Sequence, residues 1–185
     1  MDTSANAVEV FRSERGTSPA CILEYDRWRV VELALTLEKT KWLWDEMQKY
    51  RTLFSDFTRG DAGNFFDLIN APGSLWLEIL EGQRTVGLIY WTGLQNVIDA
   101  DIHLIFFDRK PAEKVELCKQ IGRWFFKEFP GCTRVTATLP VIYHATIRLA
   151  ERIGFKWEGC KRKSQLMGGK YVDEVILGLL YEELT

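Results

Sequence analysis

The spacing of hydrophobic positions along the 185-residue chain predicts a regular mixture of strands and helices. Short runs rich in β-branched and aromatic residues are typical of strands, and apolar residues that recur near every 3.6 positions are typical of helices. The predicted strands are 28–33, the two arms of a hairpin that turns at Glu81-Gly82-Gln83, 101–107, 134–139, and a last hairpin over 155–184 that turns at 167–170. The predicted helices run from Thr36 to about Tyr50 and over 63–70, 112–129 and 144–153.

Local signals mark the ends of these helices. Thr36 is the predicted N-cap of the first helix, because its hydroxyl can accept a bond from a free backbone N–H. Pro72-Gly73 is predicted to end the second helix and Pro130-Gly131 the third. The first helix is predicted to bury one apolar stripe, made of Leu37, Leu43, Trp44 and Met47.

The order of the elements predicts one α/β domain. The strand over 101–107 is apolar nearly throughout, so we expect it in the interior of a sheet. Strand–helix–strand crossovers between 101 and 166 favour a mixed sheet flanked by helices. Residues 1–26 carry little pattern and are predicted to form an N-terminal arm or extension, with the domain over 27–185.

Composition narrows the class of protein further. A net charge of −2 gives no electrostatic reason to expect a nucleic-acid partner. The longest apolar run, 175–181, is far too short to cross a bilayer, and the polar start lacks the apolar region of a secretion signal. With four cysteines outside any C-x-x-C pair and two histidines, we expect no metal site and a reducing, cytoplasmic location.

The segment ATIRLAERIGFKWEGCKR, residues 145–162, resembles a known motif. It is similar to the C-terminal motif of the GCN5-related N-acetyltransferases (the GNAT superfamily), above all to the branch that acetylates the N-termini of ribosomal proteins. That branch reads Asn-x-Ala-Ser-x-x-x-x-Glu-Lys-Leu-Gly-Phe-x-x-Glu-Gly-x-x-Arg. The matching residues here are Ala145, Thr146, Glu151, Gly154, Phe155, Glu158, Gly159 and Arg162. The family's Gly-Lys-Tyr-x-Asp hairpin follows at 169–173, and the resemblance is strong over 134–184.

The resemblance implies an α/β fold of the GNAT type: a mixed, mostly antiparallel central sheet with two splayed parallel strands and flanking helices. The splayed strands would be 101–107 and 134–139. The family uses acetyl-CoA as a co-substrate, and its pantetheine arm would lie beside the helix over 144–153. Gly154 would cap that helix with a positive φ and let the chain turn at once into the next strand.

The family binds the coenzyme A pyrophosphate on a loop that reads Gln/Arg-x-x-Gly-x-Gly/Ala. The equivalent stretch here is RKPAEK, residues 109–114, which contains no glycine. We therefore expect phosphate binding to depend more on side-chain charge than on backbone N–H groups, with an ordinary helix start as the alternative. The candidate coenzyme A contacts are Phe107, Arg109, Lys110, Ala112, Glu113, Lys114 and Tyr143.

The predicted catalytic residues also depart from the family pattern. Tyr143 stands at the motif's asparagine, and Ala150 stands where many relatives place a tyrosine general acid. The ribosomal-protein branch uses a serine that Thr146 matches, so the hydroxyl of Thr146 or Tyr143 is predicted to protonate the leaving thiolate. Asp101 and His103 share a strand face and are the candidates for receiving the proton of the amine. Ordinary structural hydrogen bonding is the alternative for Thr146 and His103.

Two functions follow from the resemblance. The first is an acetyl-CoA-dependent N-acetyltransferase, in which an amine on a protein N-terminus or small molecule attacks the thioester directly. The second is a non-catalytic protein of the same fold, for example a phage virion or head-assembly component, since the loop glycines, the asparagine and the tyrosine are all replaced. Expected partners are an amine acceptor and either a second copy in a homodimer or a virion assembly partner, without nucleic acid or membrane.

Overall fold

The computed structural model of the protein describes residues 21–50, 53, 55–56, 60–94, 98–108 and 110–184. The strands in this part of the chain are β1 (Cys21–Tyr25), β2 (Trp28–Glu32), β3 (Leu75–Glu81), β4 (Arg84–Thr92), β5 (Asp99–Phe106), β6 (Arg134–Pro140), β7 (Lys156–Met167) and β8 (Lys170–Leu180). The α-helices are α1 (Leu37–Gln48), α2 (Ala62–Ile69), α3 (Val115–Glu128) and α4 (His144–Ile153). Short 3₁₀ turns cover Pro111–Lys114 and Tyr181–Glu183.

The strands form one eight-stranded sheet in the order β1-β2-β3-β4-β5-β6-β8-β7. Every neighbouring pair is antiparallel except β5 and β6, which are parallel. That parallel pair is joined only from Asp99 opposite Arg134 to Asp101 opposite Thr136. Because β5 continues to Phe106 and β6 to Pro140, the two strands separate toward their carboxyl ends. The predicted mixed sheet with two splayed parallel strands is confirmed.

Helices cover both faces of this sheet. On one face, α3 and α4 bury Leu117, Ile121, Phe125, Leu149 and Ile153. On the other face, α1 and α2 bury Leu43, Met47, Phe65 and Ile69 against strands β3 and β4. Each fully buried side chain of this size stabilises the fold by about 1.5–3 kcal/mol. With both faces covered, the gap between β5 and β6 is the natural entrance to the interior.

The structure confirms most predicted helix bounds and corrects two details. The Thr36 hydroxyl accepts a hydrogen bond from the N–H of Lys39 at 3.1 Å, as expected of the N-cap. The predicted apolar stripe is wrong at Leu37, whose side chain is 80% exposed because it lies on the outer side of the first turn. The predicted helix 112–129 begins as a 3₁₀ turn and becomes α-helical only at Val115.

The amino end of the described chain adds a strand that the sequence pattern did not indicate. Residues 21–25 form β1 at the edge of the sheet, inside the segment for which we predicted an arm, while 1–20 lie outside the described residues. β1 pairs with β2 across a tight turn at Asp26, which has a positive φ of 54°. None of the helices formed by the described residues combines the length and the hydropathy that a bilayer-spanning helix needs.

Gly154 joins α4 to β7 in the way the sequence predicts. Its φ is 130°, and the N–H groups of Gly154 and Phe155 both bond to the carbonyl of Ala150, at 3.1 and 3.0 Å. A Cβ on Gly154 would lie 2.7 Å from the backbone oxygen of Glu183, so both the dihedral angle and the space require glycine. The buried Phe155 then anchors the new strand, which fixes α4 beside the gap between β5 and β6.

Candidate active site

A cleft of about 470 Å³ opens where β5 and β6 separate. This volume lies in the range of sites for small molecules and cofactors, which is about 300–1,000 Å³. Its walls come from α1, α2, the strands β4 to β8 and the start of α4. The polar side chains described on its walls are Tyr50, Ser55, Asn64, Tyr90, His103, Thr138, Tyr143, Thr146, Gln165 and Glu174.

A smaller, apolar cavity of about 50 Å³ lies next to this cleft, between the sheet and helices α3 and α4. The two spaces share three lining residues, Leu104 of β5, Leu139 of β6 and Thr146 of α4. The shared residues lie on the two separating strands and on the first turn of the helix that follows β6. Thr146 therefore lies where the apolar interior meets the open cleft.

The two hydroxyl groups predicted to act on the thiolate both line the cleft. Tyr143 is the N-cap residue of α4, and its phenol donates a hydrogen bond to the sulfur of Met167 at 3.7 Å. Thr146 is half-buried, and its hydroxyl has no hydrogen-bond partner among the described residues. The alternative in which Thr146 bonds back to a helix carbonyl is therefore not what the structure shows. A hydroxyl that the protein leaves unused inside a cleft can interact with a ligand.

His103 ends a stack of three rings that crosses the sheet. Trp76, Tyr90 and His103 are register partners on β3, β4 and β5, with ring centroids 3.7 Å and 4.4 Å apart and planes within 10° of parallel. Burial lowers the pKa of His103, and the negative charge of Asp101 opposes that shift only in part. The imidazole is therefore neutral at neutral pH and can accept a proton from a group in the cleft.

Asp101 is placed differently from His103 although both lie on β5. Asp101 is exposed at the point where β5 still pairs with both of its neighbours, opposite Thr92 and Thr136. It is not among the described residues that line the cleft. The Asp101 carboxylate therefore lies outside the cleft that His103 lines. It acts on the cleft through its negative charge, which opposes the lowering of the His103 pKa.

The loop predicted to bind phosphates is held together by its own ion pairs. Lys114 is fully buried, and its ammonium lies 2.5 Å from the Asp108 carboxylate and above the rings of Trp28 and Phe106. The same carboxylate accepts the backbone N–H of Lys110 at 3.2 Å. Burial tends to raise the pKa of Asp108, but these bonds from Lys114 and Lys110 hold it below its usual value. The Lys114 ammonium is therefore occupied by Asp108 and does not face a ligand.

The other predicted coenzyme A contacts at the end of β5 do not lie together. Lys110 and Ala112 are exposed, and Glu113 receives Arg27 at 2.5 Å and Lys110 at 3.8 Å. Arg109 lies outside the described residues. The remaining contact, the ring of Phe107, packs 6.3 Å from Trp42 and 5.9 Å from Tyr50, on the side of the sheet that α1 covers. This placement puts Phe107 away from the helix start that follows it.

Solved structures share this architecture. A GNAT-family acetyltransferase from Bacillus anthracis is 21% identical with a TM-score of 0.62, and the match covers 86% of this chain and 98% of that one. A spermidine N-acetyltransferase from Vibrio cholerae, solved with CoA and spermine, is 15% identical with a TM-score of 0.65 over 84% of this chain and 97% of that one. The chain has the GNAT fold. No protein-family model matches the sequence, and no curated protein matches it significantly.

The GNAT fold of this chain also brings Glu174 into the cleft, a residue that the sequence reasoning missed. Glu174 lies on β8 opposite Pro140 of β6, and its half-buried side chain has no hydrogen-bond or ion-pair partner in the described part of the chain. Its neighbour Asp173 instead accepts the backbone N–H of Lys163 at 2.7 Å. The available signal was the pair of adjacent charged residues, Asp173 and Glu174, just before the apolar end of β8, since alternation places the two on opposite faces.

Proposed function

We propose that this protein is an acetyl-CoA-dependent N-acetyltransferase that acts on an amine. The observation that carries the proposal is the cleft between β5 and β6. It contains the neutral imidazole of His103 and the hydroxyl of Thr146, which bonds to no other described residue. Both groups are of the kind that moves protons in acyl transfer. The structural neighbour solved with CoA and spermine supports an acyl donor and an amine acceptor for this fold.

The gap between the strands suits the sulfur end of acetyl-CoA better than the loop suits its phosphates. Leu104 and Leu139 give the gap apolar walls that a pantetheine chain can cover. At the phosphate end, Asp108 already binds the N–H of Lys110 and the ammonium of Lys114. We therefore assign phosphate binding to the exposed side chain of Lys110 together with Arg109, with Ala112 and Glu113 at the edge of the loop. This assignment predicts an affinity that falls with added salt.

The proposed reaction needs one bond to form and one to break. The acceptor nitrogen bonds to the acetyl carbon, the carbon–sulfur bond breaks, and the products are an N-acetylated amine and the thiol of coenzyme A. The acceptor ammonium loses two protons in all. His103 takes the first before attack, and Asp101 favours the protonated imidazole through its charge. Thr146 gives a proton to the sulfur and is reprotonated by the second proton that the nitrogen loses, with Tyr143 as the second hydroxyl in reach of the cleft. The chain contributes positioning and proton transfer, without a covalent intermediate.

The motif at 145–162 further suggests the branch that acetylates N-termini of ribosomal proteins as the nearest functional relative. We propose on that basis an acceptor amine on a protein N-terminus or a small molecule, in the cytoplasm. The cytoplasm is the location we expect for a chain whose four cysteines include no C-x-x-C pair.

Acetyl transfer tests this function directly. The protein is incubated with acetyl-CoA and a panel of primary amines, thiol release is followed with a chromogenic disulfide, and the acetylated amine is identified by mass spectrometry. We expect stoichiometric release of thiol and formation of amide for at least one amine. If acetyl-CoA binds but no amine is acetylated, the protein is a binding protein of the same fold and the enzymatic proposal fails.

A further inference from the structure

We propose that the cleft selects a primary amine with a single positive charge on an apolar body, and that the Glu174 carboxylate binds its ammonium group. The proposal rests on the proposed acetyltransferase function and adds the class of acceptor and the residue that recognises it. Such an acceptor is an arylalkyl amine or the N-terminus of a peptide that begins with a hydrophobic residue. A polyamine carries charges for which the described walls of the cleft offer no further carboxylate.

The charge of the cleft is the first observation behind this proposal. Among the described residues on its walls, Glu174 is the one carboxylate, and no lysine or arginine is present. His103 is also there but is neutral, because burial lowers its pKa. A half-buried carboxylate that pairs with no cation among the described residues favours a cation from solution, since a charge-assisted hydrogen bond offsets its partial loss of hydration.

The neighbours of Glu174 do not supply that partner. Lys161 is the residue opposite Glu174 on β7, and the two side chains form no ion pair. Pro140 is the residue opposite on β6 and carries no charge. The nearby anions are engaged, since Asp173 accepts the N–H of Lys163 and Asp56 accepts the N–H groups of Gly168 and Gly169. Among the described residues, Glu174 is therefore the anion that remains available to a ligand at this end of the cleft.

The apolar walls are the second observation. Rings of Tyr50, Phe65, Tyr90, Phe106 and Tyr143 line the cleft, together with aliphatic side chains of Met47, Leu53 and Leu68. Aromatic faces attract ammonium groups and cover apolar bodies, so they suit an amine that is charged at one end and apolar at the other. A flexible polycation could also place its additional charges on these rings, but the described walls offer them no second carboxylate, and its chain of charges lacks an apolar body to cover the aliphatic walls.

Glu174 and His103 would then have separate roles, since Glu174 would bind the amine and His103 would accept its proton. Glu174 holds the acceptor as its ammonium, which is the abundant form at neutral pH, and His103 receives the proton that must leave before attack. This makes Glu174 a binding group whose loss affects KM more than kcat. A residue that only stabilised the fold would lower the melting temperature and would not distinguish charged from neutral ligands.

Binding of a matched pair of probes tests the proposal without depending on catalysis. Phenethylamine is charged at neutral pH, and 2-phenylethanol is its neutral isostere. Each is titrated by NMR into the full chain, alone and with coenzyme A, together with spermine and a peptide amide with N-terminal Phe. We expect phenethylamine to bind at least about tenfold more tightly than 2-phenylethanol, as one charge-assisted contact predicts. Spermine should bind no more tightly than phenethylamine. Titration with the peptide amide shows whether a larger acceptor enters the cleft.

The variant Glu174→Gln should remove the preference for the charged probe while binding 2-phenylethanol as before. Glu151→Gln is the matched control, because Glu151 is exposed on α4 and outside the cleft, and it removes the same charge. Equal binding of the two probes to the wild type, a preference that survives in Glu174→Gln, or no binding of any probe with or without coenzyme A would each overturn the proposal. Because acetyl-CoA binding is measured separately, a failure of the acetyltransferase function itself is seen independently.

Discussion

Thr146→Val should lower kcat for acetyl transfer by at least about tenfold, because a positioned general acid contributes about 10²- to 10⁴-fold to the rate and water can replace part of it. Valine keeps the shape of threonine and removes the hydroxyl that lies between the apolar cavity and the cleft. The affinity for acetyl-CoA should stay nearly unchanged, since the hydroxyl has no structural hydrogen bond to lose in the described chain. Steady-state kinetics with calorimetry on the same protein measure both quantities.

Tyr143→Phe is the control for this assignment, because its phenol is the rival hydroxyl at the start of α4. The Tyr143 phenol already bonds to the Met167 sulfur, so we expect a smaller loss of kcat than in Thr146→Val. An active Thr146→Val protein together with an inactive Tyr143→Phe protein would transfer the role of the acid to Tyr143. Two fully active variants would show that water protonates the thiolate, and the proposed role of Thr146 would be lost.

Lys114→Met should lower the free energy of unfolding by about 3–5 kcal/mol, as expected when one partner of a buried ion pair is removed and the other charge stays. Methionine fills much of the same space between Trp28 and Phe106, so the loss reports charge more than volume. Asp108 would retain its carboxylate with the hydrogen bond from the N–H of Lys110 and the charge of Arg84, but without its ion pair. Chemical denaturation followed by tryptophan fluorescence measures the change.

The double variant Lys114→Met with Asp108→Asn is the control for that prediction. It removes both buried charges and should recover part of the lost stability, whereas an additive loss would show that the pair is not coupled. The pKa of Asp108 is lowered in the folded protein, so its contribution is present above the unfolded pKa near 4 and is lost as pH falls through the folded value. The difference between wild type and Lys114→Met should therefore shrink on acidification below about pH 4.

The sequence predicted the elements well wherever the signal was local. The N-cap at Thr36 and the turn at Gly154 depend on the hydrogen bonds and dihedral angles of a few neighbouring residues, and both are found in the structure. The splay of β5 and β6 was implied by the family resemblance, because periodicity alone does not reveal where two parallel strands separate. Helical spacing alone did not predict that Leu37 is exposed, because the spacing does not determine which side of the first helical turn faces the sheet.

The candidate site was harder to predict because its residues meet across long stretches of chain. His103, Thr146 and Glu174 come from β5, α4 and β8, and only the fold brings them to one cleft. Glu174 could not be recognised from a motif, since what distinguishes it is that its carboxylate pairs with no other residue in the described part of the three-dimensional structure. The role of Lys114 could not be predicted either. Its position in the loop suggested a phosphate contact, but in the structure its ammonium is buried against the rings of Trp28 and Phe106.

Calorimetric titration of the purified protein with acetyl-CoA tests the proposed acetyltransferase function most directly. We expect one site per chain with a dissociation constant in the micromolar range, which corresponds to roughly −7 to −8 kcal/mol. The affinity should fall as salt is added, because the exposed side chain of Lys110, together with Arg109, is the proposed phosphate contact. No heat and no thermal shift at millimolar acetyl-CoA would contradict the acetyltransferase function and leave a non-catalytic protein with the GNAT fold.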